Sequence, residues 1–170
     1  MDDPLHGTDV LVLLKLAASA DAHLSVRALE AELSISKSGI AESIRRLRAF
    51  GLVKDANGER RIDRLRVRDC LEHGVRWLAP GSIGDFELGL PTAHSAEPMS
   101  SKLASEGDPL VMPLPHGPFR GRCVTPIHPS APAAASRDPR LHRLLALVDA
   151  FRIGRARDRE VAARELAACL

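Results

Sequence analysis

The sequence predicts a mainly α chain with one small β-hairpin, followed by a Pro-rich extended connector and C-terminal helices. Three observations predict it. Apolar residues recur at helical spacing through much of residues 10–50. One Asn57-Gly58 pair marks a tight turn between two short strand-like runs. Prolines are unevenly spread: one lies in residues 1–79, ten in 80–136 and one in 137–170. These limits divide the chain into a helix-and-hairpin part (1–79), a connector (80–136) and a helical tail (137–170). With 170 residues, 45% of them apolar, the chain can build a packed core.

In the first part, Thr8 or Asp9 reads as the N-cap of a helix from Val10 to Ala20. Its apolar residues run nearly all round the cylinder, so it must be buried on most sides, part of it against a second subunit. Ser25 caps a short helix, Val26 to Leu33. Ser34-Ile35-Ser36 makes a tight turn, and Ser36 caps a longer helix over 37–49, with Gly51 just past its end. Ile40, Ala41, Ile44 and Leu47 form the expected buried stripe of that helix. A wing near 54–62 follows, from Leu52-Val53 through Asn57-Gly58 to Glu59–Ile62. Asp63 then caps a further helix with Leu65, Leu71, Val75 and Leu78 roughly on one side, ending before Pro80.

The order helix, helix, tight turn, helix, hairpin over residues 24–62 is that of a winged helix-turn-helix. Ser25, Leu29-Glu30-Ala31-Glu32-Leu33, Ser34-Ile35-Ser36-Lys37-Ser38, Ile40, Ile44, Leu47 and Gly51-Leu52-Val53 carry the pattern. In these residues the chain resembles the MarR-type regulators. The resemblance implies that 37–49 is a recognition helix whose N-terminal part enters the major groove of double-stranded DNA. Removing the expected stripe leaves Lys37, Ser38, Gly39, Glu42, Ser43 and Arg46 on the outer face. Ser38, Gly39 and Ser43 are short enough for close approach, and Lys37 and Arg46 can reach bases or phosphates. The helix N-termini at Ser25 and Ser36 offer free amides to phosphates. Arg45, Arg46 and Arg48 belong either to this surface or to a solvated helix face, and Arg60 and Arg61 lie just past the wing turn. Glu42 is out of place on such a face. It can accept from cytosine, pair with Arg46, or weaken phosphate contact.

Charge agrees with a polyanionic partner. The whole chain is only +2, but Lys37 to Arg68 holds ten basic and four acidic residues, a local +6. Aromatic residues are 3% of the chain, which disfavours stacking platforms for single strands. Cys70, Cys123 and Cys169 are widely spaced and form no CxxC pair, so a reducing cytoplasm fits and a disulfide framework does not. The start, MDDPLHGTD, lacks the basic region of a signal peptide, and the longest apolar run, Val10 to Leu14, is too short to span a membrane. No catalytic motif frames the Ser, His and Asp residues, so neither an enzyme nor a cofactor is expected.

The connector alternates short apolar pieces with turns. It reads as an extended arm carrying two or three short strands, packed on the domain or on a partner subunit. His94, His116, Cys123 and His128 share it, either as a metal set or as packed and solvent-facing side chains. Their spacing matches no ligand signature. Cys123, between Arg120 and Arg122, has the sequence setting of a low-pKa redox thiol. In the tail, Asp138-Pro139 opens a helix with Leu141, Leu144, Leu145, Val148 and Phe151 on one side, Gly154 breaks it, and a second helix follows. Arg152, Arg155, Arg157 and Arg159 read as a solvated surface. By the MarR resemblance, the tail and the first helix are the dimer-forming elements.

Connector and tail also resemble a group of small bacterial regulators, in Arg120-Gly121, Pro126, Pro129, Pro132, Asp138-Pro139, Leu144-Leu145-Ala146-Leu147-Val148-Asp149-Ala150 and Gly154-Arg155-Ala156-Arg157. That resemblance implies an antitoxin-like autorepressor with a nucleotidyltransferase-type toxin as partner. The sequence therefore leads to a homodimeric, DNA-binding repressor reading a near-palindrome. The alternatives are an antitoxin or interaction module that binds a partner protein through connector and tail, and a ligand- or redox-controlled sensor.

Overall fold

The computed structural model describes residues 3–19, 23–104 and 107–170. It is a mixed α/β structure in which two helices that are apolar on nearly every side occupy the centre. The first is α1 (Gly7–Ala18). Its residues Val10, Leu11, Val12, Leu13 and Leu14 are all 2% exposed or less. The second is α7 (Pro139–Ile153), whose residues Leu144 to Arg152 are buried without a break. Each such aliphatic side chain removed from water contributes roughly 1.5–3 kcal/mol. The two helices pack on each other and on their own chain's other elements, so the first helix and the first tail helix are covered from within, whereas the second tail helix keeps exposed residues. The expected end of α1 at Ala20 lies outside the described residues.

Around this centre the chain winds in order. Helix α1 begins at Gly7 rather than at Thr8 or Asp9. His6 is its N-cap, and the Asp9 carboxylate accepts the His6 N–H at 2.8 Å. Helix α2 (Val26–Leu33) starts where Ser25 Oγ accepts the Ala28 N–H, and it ends on Ser34, a left-handed residue at φ 54°. Ser36 Oγ accepts the Gly39 N–H and opens α3 (Lys37–Ala49). Strands β1 (Val53–Ala56) and β2 (Glu59–Ile62) pair antiparallel from Val53↔Ile62 to Ala56↔Glu59. The turn between them needs positive φ at both central residues, and Asn57 and Gly58 supply 54° and 76°. Asp63 caps α4 (Arg64–Asp69), which runs through a π turn (Cys70–Gly74) into α5 (Val75–Leu78). Val67, Leu71 and Val75 are its buried side, whereas Leu65, expected there, is 76% exposed.

The connector departs most from expectation. It is a small sheet closed on itself rather than an extended arm. Strand β3 (Ile83–Pro91) pairs antiparallel with β5 (Phe119–Val124) along its first part and with β4 (Leu110–Pro113) along its last, while β4 and β5 run parallel. Three strands can close this tightly only where a side chain is missing at the crossing. A Cβ on Gly89 would stand 2.0 Å from the Met112 carbonyl oxygen, and one on Gly121 would stand 2.6 Å from that of Pro109. Helix α6 (Ala131–Arg137) follows, then α7, capped by Asp138 through the Arg140 and Leu141 N–H groups, and α8 (Ala156–Cys169).

Two polar joints tie the parts together. Arg152, expected at the surface, is buried. It donates to Asp149 Oδ1 (2.6 Å) and to the carbonyls of Ala79 (2.6 Å), Pro80 (3.2 Å) and Thr125 (3.0 Å). It thereby clamps the boundary at residue 80 to the end of β5. Thr92 Oγ1 donates to the other oxygen of Asp149 at 2.6 Å, so the carboxylate is fully occupied. At the other end of α7, Lys15 of α1 reaches Asp138 (2.7 Å) and Glu32.

Candidate nucleic-acid interface

The side of α3 that faces the core holds Ile40, Ser43, Ile44, Arg46 and Leu47. Ser43 and Arg46 are therefore corrections to the expected outer face. Both turn to Asp9, which is fully buried on α1. Ser43 Oγ donates to Asp9 Oδ1 at 2.6 Å, and Arg46 makes a two-pronged bond, Nε to Oδ2 and Nη2 to Oδ1, each 2.9 Å. Counting His6 N–H, four donors saturate the carboxylate, which offsets the cost of burying its charge. Arg46 is thus the partner that lets an aspartate sit in the core.

The surface of α3 holds Lys37, Ala41, Arg45 and Arg48, four or three residues apart along one row, with Ser38 exposed beside Lys37. Ala41 belongs to this row and not to the buried stripe. Lys37 is 65%, Arg45 54% and Arg48 45% exposed at the side chain. The row opens on the cation Lys37, passes the short side chains Ser38 and Ala41, and ends on the cations Arg45 and Arg48. Glu42 lies beside it and pairs with both Arg45 (2.6 Å) and Arg46 (3.3 Å). Hydrogen bonds from Arg45 hold its carboxyl below the usual glutamate range. Gly39 serves packing: a Cβ there would press on Ile35 Cγ2 at 3.0 Å, within the α2–α3 turn. Ser25 and Ser36 spend their hydroxyls as caps, so what each helix start offers outward is its first N–H groups.

Arg48 joins this row to the hairpin by donating to Asp55 of β1 at 2.8 Å. Lys54 pairs with Asp63 (2.6 Å) and Arg61 with Glu59 (3.0 Å), both cations more than half exposed. Arg60 is different from its neighbour. It is half-buried and donates to the Leu24 carbonyl at 3.2 Å, so it braces β2 against the start of α2, and burial lowers the pKa of its guanidinium. Between hairpin and helices runs a cleft of about 720 Å³ lined by Arg48, Arg60, Arg61, Arg64, Asp55 and Glu59. Arg48 was expected here with Arg45 and Arg46, whereas Lys54 and Arg64 were not singled out as contact residues.

The remaining candidates do not join this surface. Cys123 is not an activated thiol. Alternation along β5 puts Arg120 and Arg122 on the opposite face, and Cys123 shares its face with Glu87. Burial raises its pKa, and the Glu87 carboxylate raises it further. His128 binds Ser130 at its Nδ1 (2.8 Å), and burial lowers its pKa. Among the described residues no group of three or more His, Cys, Asp or Glu side chains is placed to hold a metal ion. Among them too, no helix is long and apolar enough to cross a membrane. No family model, curated protein or solved structure matches the chain.

Proposed function

We propose that the chain is a sequence-specific transcriptional regulator of the winged helix-turn-helix type, a repressor that binds duplex DNA through the outer row of α3 and the β1–β2 hairpin. The observation that carries this reading is the row Lys37, Ala41, Arg45, Arg48, with Ser38 beside it, and its continuation onto the hairpin through the Arg48–Asp55 pair. The small side chains Ser38 and Ala41 allow the helix to approach base edges, and the arginines at the end of the row supply forked donors for guanine or phosphate. The surface cations already have acidic partners, but exposed pairs of this kind are worth only about 0–1 kcal/mol. A phosphate can replace such a partner at little cost, whereas the Arg46–Asp9 pair stays in place.

A near-palindromic operator requires two copies. Since α1 and α7 are inside the fold, the two-fold contact uses other surfaces. Selection from a random duplex library tests the reading. The expected product is an inverted repeat with half-sites about one helical turn apart. Absence of any enriched sequence, with equal affinity for single and double strands, contradicts it.

A further inference from the structure

Strand β3 leaves a bare edge. Over Ile83–Leu88 only β5 pairs with it among the described residues, and β4 joins beyond, at Gly89–Pro91. All six of these residues are exposed. The direction of the free backbone groups follows from two bonds. Leu88 turns its carbonyl away from β5 to the Leu114 N–H (3.0 Å), and Arg122 turns its N–H away from β3 to the Pro109 carbonyl (2.7 Å). Alternation then sets Glu87 and Gly121 as the pair that bonds across the ribbon. Phe86 N–H and C=O point outward along the empty part of the edge, which Leu114 closes at Leu88.

The side chains beside that edge are sorted by face. Phe86 and Leu88, 44% and 48% exposed, lie on one face with Arg122 and Arg120 opposite them, the Arg120 guanidinium 5.4 Å from the Phe86 ring centroid. Asp85 and Glu87 lie on the other face, and neither has an ion pair among the described residues. The arrangement opposes self-pairing. Two copies joined edge to edge about a two-fold axis would set Asp85 against Glu87, or each against itself, and directly opposed like charges destabilise a sheet. Nucleic acid is equally ill-suited, because Asp85 and Glu87 cancel Arg120 and Arg122.

We propose that this edge takes an extended strand of a partner protein, with apolar side chains on the Phe86–Leu88 face and Lys or Arg beside Asp85 and Glu87. Main-chain bonds to Phe86 supply attachment, and the alternation of apolar and basic residues supplies selectivity. This surface is separate from the α3–hairpin surface and does not depend on that surface's binding DNA.

The test uses the full chain, isotopically labelled, and two short synthetic peptides, one alternating lysine and valine and the other glutamate and valine. The lysine–valine peptide is expected to shift the amide signals of residues 84–88 and to slow exchange of the Phe86 amide. Combined Asp85→Lys and Glu87→Lys substitution should reverse the preference between the peptides by roughly tenfold. Because that variant gains a ligand, its result does not depend on a loss that misfolding could mimic. Phe86→Pro, which deletes an outward N–H that β5 does not use, should abolish binding of either peptide. DNA affinity should be unchanged in all variants. No binding of the lysine–valine peptide to the unaltered chain, or binding indifferent to the charge reversal, overturns the proposal.

Discussion

Two β-ribbons emerge from this fold, and they are opposite in character. The β1–β2 hairpin carries Lys54 and Arg61 with matching acids, braces Arg60 on the Leu24 carbonyl, and turns Val53 and Ile62 to the core. The β3–β5 ribbon exposes Ile83, Phe86, Leu88 and Phe119, between 44% and 55% each. A charged ribbon with exchangeable ion pairs suits phosphates, and an apolar ribbon with an empty edge suits another polypeptide. Two buried Asp–Arg pairs lie beneath these surfaces: Asp9–Arg46 joins α3 to α1, and Asp149–Arg152 lies at the base of the second ribbon. The contrast teaches that the arginines of this chain divide by depth. The buried ones tie elements of the fold together, and the exposed ones pair with acids at the surface.

The largest expected effect comes from breaking either buried pair. Arg46→Ala or Arg152→Ala strands a buried carboxylate and should cost about 3–5 kcal/mol in urea unfolding. DNA binding by the Arg46 variant should fall only as far as its folded fraction falls. Next are the exposed arginines of α3. Arg45→Ala and Arg48→Ala should leave the melting temperature within a degree or two and lower duplex affinity by about 1–3 kcal/mol for each arginine that reads a base. Peptide binding at β3 should not change.

A smaller effect concerns the joint between the two halves. Burial pushes the Asp138 carboxyl up, but Lys15 and the Leu141 and Arg140 N–H groups outweigh burial and hold it below the usual aspartate range. A carboxyl depressed in the folded state stabilises the fold above its unfolded pKa of about 3.9, and that stability is lost as pH falls through the lower folded value. Asp138→Asn should therefore cost on the order of 1 kcal/mol at neutral pH and flatten the acid limb of the stability profile. The smallest effect is at the wing. Arg61→Ala should weaken binding almost equally across DNA sequences and reduce the salt slope by about one.

Local chemistry was legible in the sequence. The caps at Ser25, Ser36, Asp63 and Asp138, the turn at Asn57-Gly58 and the break at Gly154 all depend on residues within a few positions of one another. What was hidden depends on distant partners. Ser43 and Arg46 look like surface residues until Asp9, more than thirty positions away, is placed opposite them. An aspartate beside an otherwise apolar helix was the available clue. The closed sheet was equally hidden, since β3 pairs with β5 between positions 30 to 41 apart in sequence, and no hairpin signal announces that pairing. Cys123 was misread because neighbours in sequence stand on opposite faces of a strand.

The central claim, that α3 and the hairpin face duplex DNA, is tested most directly by affinity for one selected duplex as salt is varied. The unaltered chain is compared with the Arg45→Ala, Arg48→Ala double variant. The account predicts a steep slope for the unaltered chain. For a variant that stays folded, it predicts affinity at least about tenfold weaker and a slope lower by up to roughly two. Equal affinity and equal slope for the two proteins would contradict it.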